Sequence, residues 1–368
     1  MREEKRVKRL RQSGVTALFI VIFASILLSI ITVSFTTMMV REQQRSTDDE
    51  QSQSAYDAAM AGVEDGKRVM AACLANPGGS ACTAIANQRC MTVRDAGIQT
   101  AEPNGEVMLQ STTGDGLELN QAYTCVVISR DTSDYLAQLR RDESLIVPLR
   151  GAATFDRVII SWHTSEDASS SQPAGSVALP RLADWSTGRP ALLRAQLIQF
   201  GAGAITPAGF DAAPNHTLYL HPQVVGGGLS FGLDSRRTPP NVPEGVRCEM
   251  TFPLSGYACT TTVTLPAAAN RVSYLRLSSL YAGAHVRIEL RNNATAVNFS
   301  NVQPRIDSTG RANDLFRRVE ARVEMTNPDF PYPRATVDIT NNFCKTFSVS
   351  SDAAGYTAGD CDPTRAGN

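Results

Sequence analysis

Charge is missing from one long stretch of this 368-residue chain: between Val15 and Val40 there is no Asp, Glu, Lys, Arg or His. Histidine is scarce throughout, occurring only at His163, His216, His221 and His285, and no C-x-x-C pair occurs among the eight cysteines. That absence removes the commonest zinc and thioredoxin-like readings. His216 and His221 stand five apart in a strand-like run, so their side chains leave opposite faces and do not serve one metal. His285 falls on the polar side of its strand, and all four histidines read as surface or loop residues. A metalloprotease H-E-x-x-H and a phosphate-cradling G-x-x-x-x-G-K are also absent, and no hydrolase, protease or nucleotide-enzyme signature is expected. Gly201-Ala202-Gly203 and Gly226-Gly227-Gly228 do not fit the dinucleotide fingerprint and read as turns. Net charge is lacking too. At −1, with a pI near 6.4, the chain has no extended basic face beyond its first residues, which argues against nucleic acid as a partner. The expectation is therefore a protein that is not an enzyme, with no cofactor, no metal and no small-molecule substrate.

The uncharged stretch is itself a signal. At about 1.5 Å per residue, residues 15–40 make a helix of roughly 39 Å, enough to cross a hydrocarbon core of about 30 Å. In front of it lies a basic leader, residues 1–14, where Arg2, Lys5, Arg6, Lys8, Arg9 and Arg11 outnumber Glu3 and Glu4. The positive-inside rule then keeps the N-terminus cytoplasmic and sends the rest of this single-pass protein outside the cytoplasmic membrane. Helical periodicity continues over 41–75 without a proline. Ala55, Ala59, Gly62, Val63, Gly66, Met70 and Cys73 recur at three- and four-residue steps, giving a narrow stripe of small and apolar groups for helix packing. Asn76-Pro77-Gly78-Gly79 supplies the stop. Such an amphipathic continuation needs a partner along its length.

Beyond residue 80 the period changes to two. Val286, Ile288 and Leu290 alternate with Arg287, Glu289 and Arg291; Val319, Ala321, Val323 and Met325 alternate with Arg318, Glu320, Arg322 and Glu324. Further strands are expected over 122–129, 155–162, 193–200, 217–220, 261–265, 272–277 and 334–340. The Ser-rich stretch 164–176 and the Pro-rich stretch 238–243 read as loops, so a first α+β or β subdomain is placed at 76–163 and a β-rich one at 177–368. Residues 307–314 read as a connecting loop. The fold class is α+β: a long N-terminal transmembrane and amphipathic helix followed by a mainly antiparallel β body. Cys73, Cys82, Cys90, Cys125, Cys248, Cys259, Cys344 and Cys361 all lie on the outer side, where up to four disulfides persist. The local pairs Cys248–Cys259 and Cys344–Cys361 are favoured, each closing a loop worth about 3 kcal/mol in the chain-entropy model. Asp352, Asp360 and Asp362, near Cys361, read as a solvated turn more readily than as a Ca²⁺ loop, since no EF-hand spacing is present. Asn293 and Asn298 head N-x-[ST] triplets.

A small residue between a basic leader and a long apolar run is what a processing peptidase at the membrane reads, and here it is Ser13-Gly14. From Arg11 to Phe19, and again from Ser54 to Glu64, the chain resembles type IV pilin-like proteins. It is closest in pattern to the PilX N-terminal domain family of minor pilins and to the K-type pseudopilins of type II secretion. The resemblance covers about the first 70 residues. It implies cleavage by a prepilin peptidase after Gly14, with Val15 as the first mature residue. It also implies other pilin subunits and the pilus assembly machinery as partners, with membrane lipid around the helix before assembly, and a cell-surface filament afterwards. Phe19 stands where most of these proteins place a glutamate that pairs with a neighbouring N-terminal amine. K-type pseudopilins also lack that acid, so the resemblance implies a filament tip. The alternative is a single-pass adhesive or binding protein at the cell surface, held by an uncleaved signal anchor.

Overall fold

The computed structural model describes residues 2–99, 105–109, 120–175, 184–200, 215–226, 229–230, 243–266 and 272–324. Among these, three helices come first: α1 (Arg2–Ala75), α2 (Ser80–Ala86) and α3 (Thr92–Asp95). Strands follow as β1 (Val107–Met108), β2 (Ala122–Thr132), β3 (Tyr135–Leu139), β4 (Ser144–Leu149), β5 (Arg157–Trp162), β6 (Leu192–Phe200) and β7 (Asn215–Gln223). The remainder are β8 (Leu229–Ser230), β9 (Pro243–Arg247), β10 (Cys259–Thr264), β11 (Val272–Leu280), β12 (Ala284–Asn292), β13 (Thr295–Val297), β14 (Phe299–Ala312) and β15 (Leu315–Arg322). The long apolar helix and the mostly antiparallel β body match the expected class. Expected strands over 334–340, and the pair Cys344–Cys361, lie outside the described residues, as do Met325, Asp352, Asp360 and Asp362.

Two compact units emerge: Met1–Val127 with Asp307–Ala321, and Ile128–Ile306 with Arg322–Asn368. The division differs from the boundary expected at 163–177, because β5, just before that stretch, pairs with β10 and β12 far beyond it. Loop composition marks where the chain turns, and here it turns inside one body.

In the first unit the period of two does not begin at residue 80. The short helices α2 and α3 bury Ala81, Ala84, Ile85 and Val93, and disulfides hold them in place. Cys73 near the end of α1 is bonded to Cys82 in α2, and Cys90 to Cys125 in β2, with Cα separations of 4.7 and 4.2 Å. Strand β14 runs straight through the stretch expected to be a loop. Only Asn313 and Asp314 turn, with Asn313 at φ 49°, before β15 returns.

The second unit is a two-sheet sandwich. One sheet runs β13-β12-β5-β10-β8, with β3 also on β12; the other runs β4-β11-β6-β7-β9. Every pairing with a recorded register is antiparallel except β8 with β10 and β7 with β9. The alternation expected for β12 is present: Val286, Ile288 and Leu290 are buried and Arg287, Glu289 and Arg291 half-buried. These inward residues meet Val158, Ile160 and Trp162 of β5, Leu193 and Leu197 of β6, and Leu275 and Leu277 of β11 in one core. Each such side chain contributes about 1.5–3 kcal/mol by leaving water. Trp162 keeps its polar edge satisfied by donating Nε1–H to the Ala191 carbonyl at 2.9 Å. Cys248 and Cys259 are bonded as the spacing suggests, with a Cα separation of 4.1 Å.

Candidate functional site: the N-terminal helix

Helix α1 is 74 residues long, about 110 Å at helical rise, and carries every residue to which the sequence assigns a role in processing or packing. Gly14 and Val15 fall within its first turns. Phe19 is exposed, and so is every large apolar side chain from Leu18 to Val40. This segment is long and apolar enough to span a membrane. Its hydroxyls suit that solvent. Ser25, Ser29, Thr32 and Thr36 donate to the carbonyls of Ile22, Ser25, Leu28 and Thr32 at 2.7–2.9 Å. Each polar group is satisfied inside the helix and asks nothing of lipid. A polar neck follows, in which all of residues 41–50 are exposed.

From Ser54 onward the same helix is half-buried. Ala55, Ala58, Ala59, Val63, Val69 and Met70 are within 2% of full burial, and Gly62 and Gly66 are buried beside them. The partner that the stripe requires is the sheet of its own unit. A Cβ at Gly62 would lie 3.1 Å from both Tyr123 and Val126 and would overlap the Ser308 hydroxyl. A Cβ at Gly310 would overlap the backbone of Ala55 and Ala59. Helix and strand thus meet glycine to backbone, closer than any side chain allows. Polar pairs fix the register: Tyr123 donates its hydroxyl to Asp65 Oδ2 at 2.7 Å, Gln121 meets Ser54, and Arg317 meets Ser52, while within the helix Arg68 donates to Asp65 Oδ1 at 2.9 Å. Burial, then the bond to Asp65, raises the Tyr123 pKa far above its usual range, so this hydroxyl stays a donor.

Elsewhere the chemistry-bearing groups serve the fold. Three of the four histidines are buried, which corrects their reading as surface or loop residues: His163 is 2%, His216 3% and His221 0% exposed. Strand β7 lies between β6 and β9 with both faces covered, so neither parity points to water. His221 shares a hydrogen bond between Nδ1 and Gln223 Nε2 at 2.9 Å; burial and the charge of Arg189 push its pKa down to about 4. His163 packs on Phe252 with ring centroids 5.7 Å apart, and burial lowers its pKa. His285 is half-buried, clasped by Asp167 at 2.8 Å and Glu166 at 3.2 Å. That clasp pins the 164–168 turn to β12.

One spelling runs against the expectation of no hydrolase signature: Gly228-Leu229-Ser230-Phe231-Gly232 reads G-x-S-x-G. The nucleophile elbow needs its serine on a turn between a strand and a helix, whereas Ser230 lies within β8, paired with Thr264 of β10. No strand-to-helix turn at Ser230 occurs among the described residues, and Phe231 and Gly232 lie outside them. No cluster of His, Cys, Asp and Glu able to hold a metal occurs among the described residues. An open cleft of about 560 Å³ is lined by Ala152, Thr154, Asn292, Asn293 and Asn298, without a charged side chain. Asn292 there donates to Thr154 at 3.3 Å, and the Asn293 amide to Asp156 at 2.8 Å. These amides brace the β12–β13 hairpin. No protein-family model matches this chain, and neither does any curated protein or solved structure.

Proposed function

We propose that the chain is a non-catalytic, membrane-tethered subunit of a type IV pilus or type II secretion-like filament, similar to a minor pilin or pseudopilin and placed at the tip. The observation that carries this reading is the single helix α1, bare and apolar over 18–40 and packed on its own sheet from Ser54 onward. A helix whose large apolar side chains are exposed over 18–40 is suited to two successive solvents, lipid first and the equivalent helices of sister subunits after extraction. The β body, stapled by disulfides, then faces the outside and offers its surface to adhesion, secretion or uptake partners.

The N-terminus decides between this and an uncleaved anchor, since Phe19 in place of the usual acid is compatible with a tip subunit and is also what an ordinary signal anchor carries. Mass spectrometry of the native protein is expected to find Val15 as the first residue, and G14E to retain residues 1–14. An intact leader on the wild-type protein in cells that possess a prepilin peptidase would overturn the filament reading and leave a single-pass surface adhesin.

A further inference from the structure

On the five-stranded sheet of the second unit, alternate side chains leave the sandwich core. Leu193, Ala195 and Leu197 of β6 and Leu275 and Leu277 of β11 point inward. Arg194, Gln196, Arg276 and Ser278 therefore share the opposite face. Register aligns Tyr219, Arg194, Ser278 and Ser144 in one row across β7, β6, β11 and β4, and Thr217, Gln196, Arg276 and Ile146 in the next. Arg194 and Arg276 are thus diagonal neighbours on adjacent strands, each half-buried. Like charges so placed repel, and a guanidinium drawn out of water without a carboxylate costs stability.

Neither cation is compensated among the described residues. Among the described residues no Asp or Glu pairs with Arg194 or Arg276, and the Nε of each is buried without an acceptor. Arg276 Nη2 reaches only the Ser144 hydroxyl, at 3.4 Å, and Ser144 and Ser278 share a hydrogen bond at 2.7 Å. Burial and the charge of Arg194 both lower the Arg276 pKa. The carboxylates that elsewhere accompany arginine in this protein, as Glu106 does Arg311 and Asp134 does Arg322, have no counterpart on this face among the described residues. An oxyanion would remove the repulsion, accept from the two guanidinium forks, and take further donors from the serine pair.

We infer that this face is an anion-recognition site, which takes the carboxylate or phosphate group of a ligand between Arg194 and Arg276. The flanking Leu192, Tyr219 and Tyr274 are buried and apolar or aromatic, so the group is held beside a dry wall rather than in open water. The site is independent of the filament reading.

The test uses the full chain in detergent, titrated with inorganic phosphate and separately with glucuronate, at ionic strength balanced with chloride. Either anion is expected to raise the melting temperature beyond the chloride control, and which one does identifies the ligand as phosphate- or carboxylate-bearing. R194Q and R276Q are expected to weaken binding about tenfold or more, by calorimetry, since each removes a charge-assisted pair. R276K, which keeps charge and loses the fork, falls between. Without anion both glutamine variants should melt no lower than the wild type, because repulsion is relieved. No shift beyond chloride, an unchanged response in R194Q and R276Q, or a large drop in their melting without anion would overturn the inference and leave the pair as a structural feature of the sheet.

Discussion

The two halves of α1 invert the usual relation between hydrophobicity and burial. Over 18–40 the side chains are large and apolar, and Phe23 and Leu28 are 71% and 69% exposed. From Ser54 onward they are alanine, glycine and valine, and most of the inward face is fully buried. Chemistry alone would place the first half in a core. What separates them is the match between side-chain size and the neighbouring surface: a strand accepts a helix closely only through small residues, whereas hydrocarbon accommodates any apolar shape. One helix is therefore made of two materials, each suited to a different solvent.

Replacing Gly310 with Val should damage this arrangement most. The new side chain overlaps the α1 backbone at Ala55 and Ala59, and a loss of more than about 3 kcal/mol is expected. Hydrogen exchange should show protection vanishing over 54–70 while the protein still partitions into membranes. The complementary change is Leu28→Arg, which should cost insertion about 2.5–3.5 kcal/mol and leave exchange in the β body unchanged. Loss of β-body protection in this variant would mean that the two halves are not separable.

Acid offers a third way to separate them, because the 15–40 stretch has nothing to titrate. His221 is held neutral in the folded state, with its pKa down to about 4 against 6.5 when unfolded. The unfolded chain binds the proton first, so stability is full above pH 6.5 and falls as pH drops toward 4, by about 3 kcal/mol. Thermal melts should show the second unit weakening across that window, and H221Q should flatten the dependence. Smallest is Tyr123→Phe, which strips one donor from buried Asp65 and should lower the first unit's stability by about 1–2 kcal/mol, read by denaturant titration.

The helix, the β12 alternation and the Cys248–Cys259 bond were legible because each depends on local period or spacing. Residues 307–312 were not. Asp307-Ser308-Thr309-Gly310 has the composition of a turn, yet Ser308 is 0% exposed and Gly310 lies under α1. Small residues chosen so that a helix can approach resemble small residues chosen so that a chain can bend, and the sequence does not distinguish them. The histidines misled for a related reason. A strand covered on both faces loses the parity rule by which a polar residue signals water. For the candidate site, the exposed apolar run was readable, and the partner of the small-residue stripe was not, since its two strands lie about sixty and about two hundred and fifty residues downstream.

The absence of any break in α1 has a mechanical consequence. The neck at 41–50 contains neither glycine nor proline and continues the same helix into the packed half. A hinge there would uncouple the apolar half from the packed one; with residues 18–40 placed in a bilayer as proposed, an unbroken rod would carry torque and tilt directly into the first unit, acting as a lever as well as a tether.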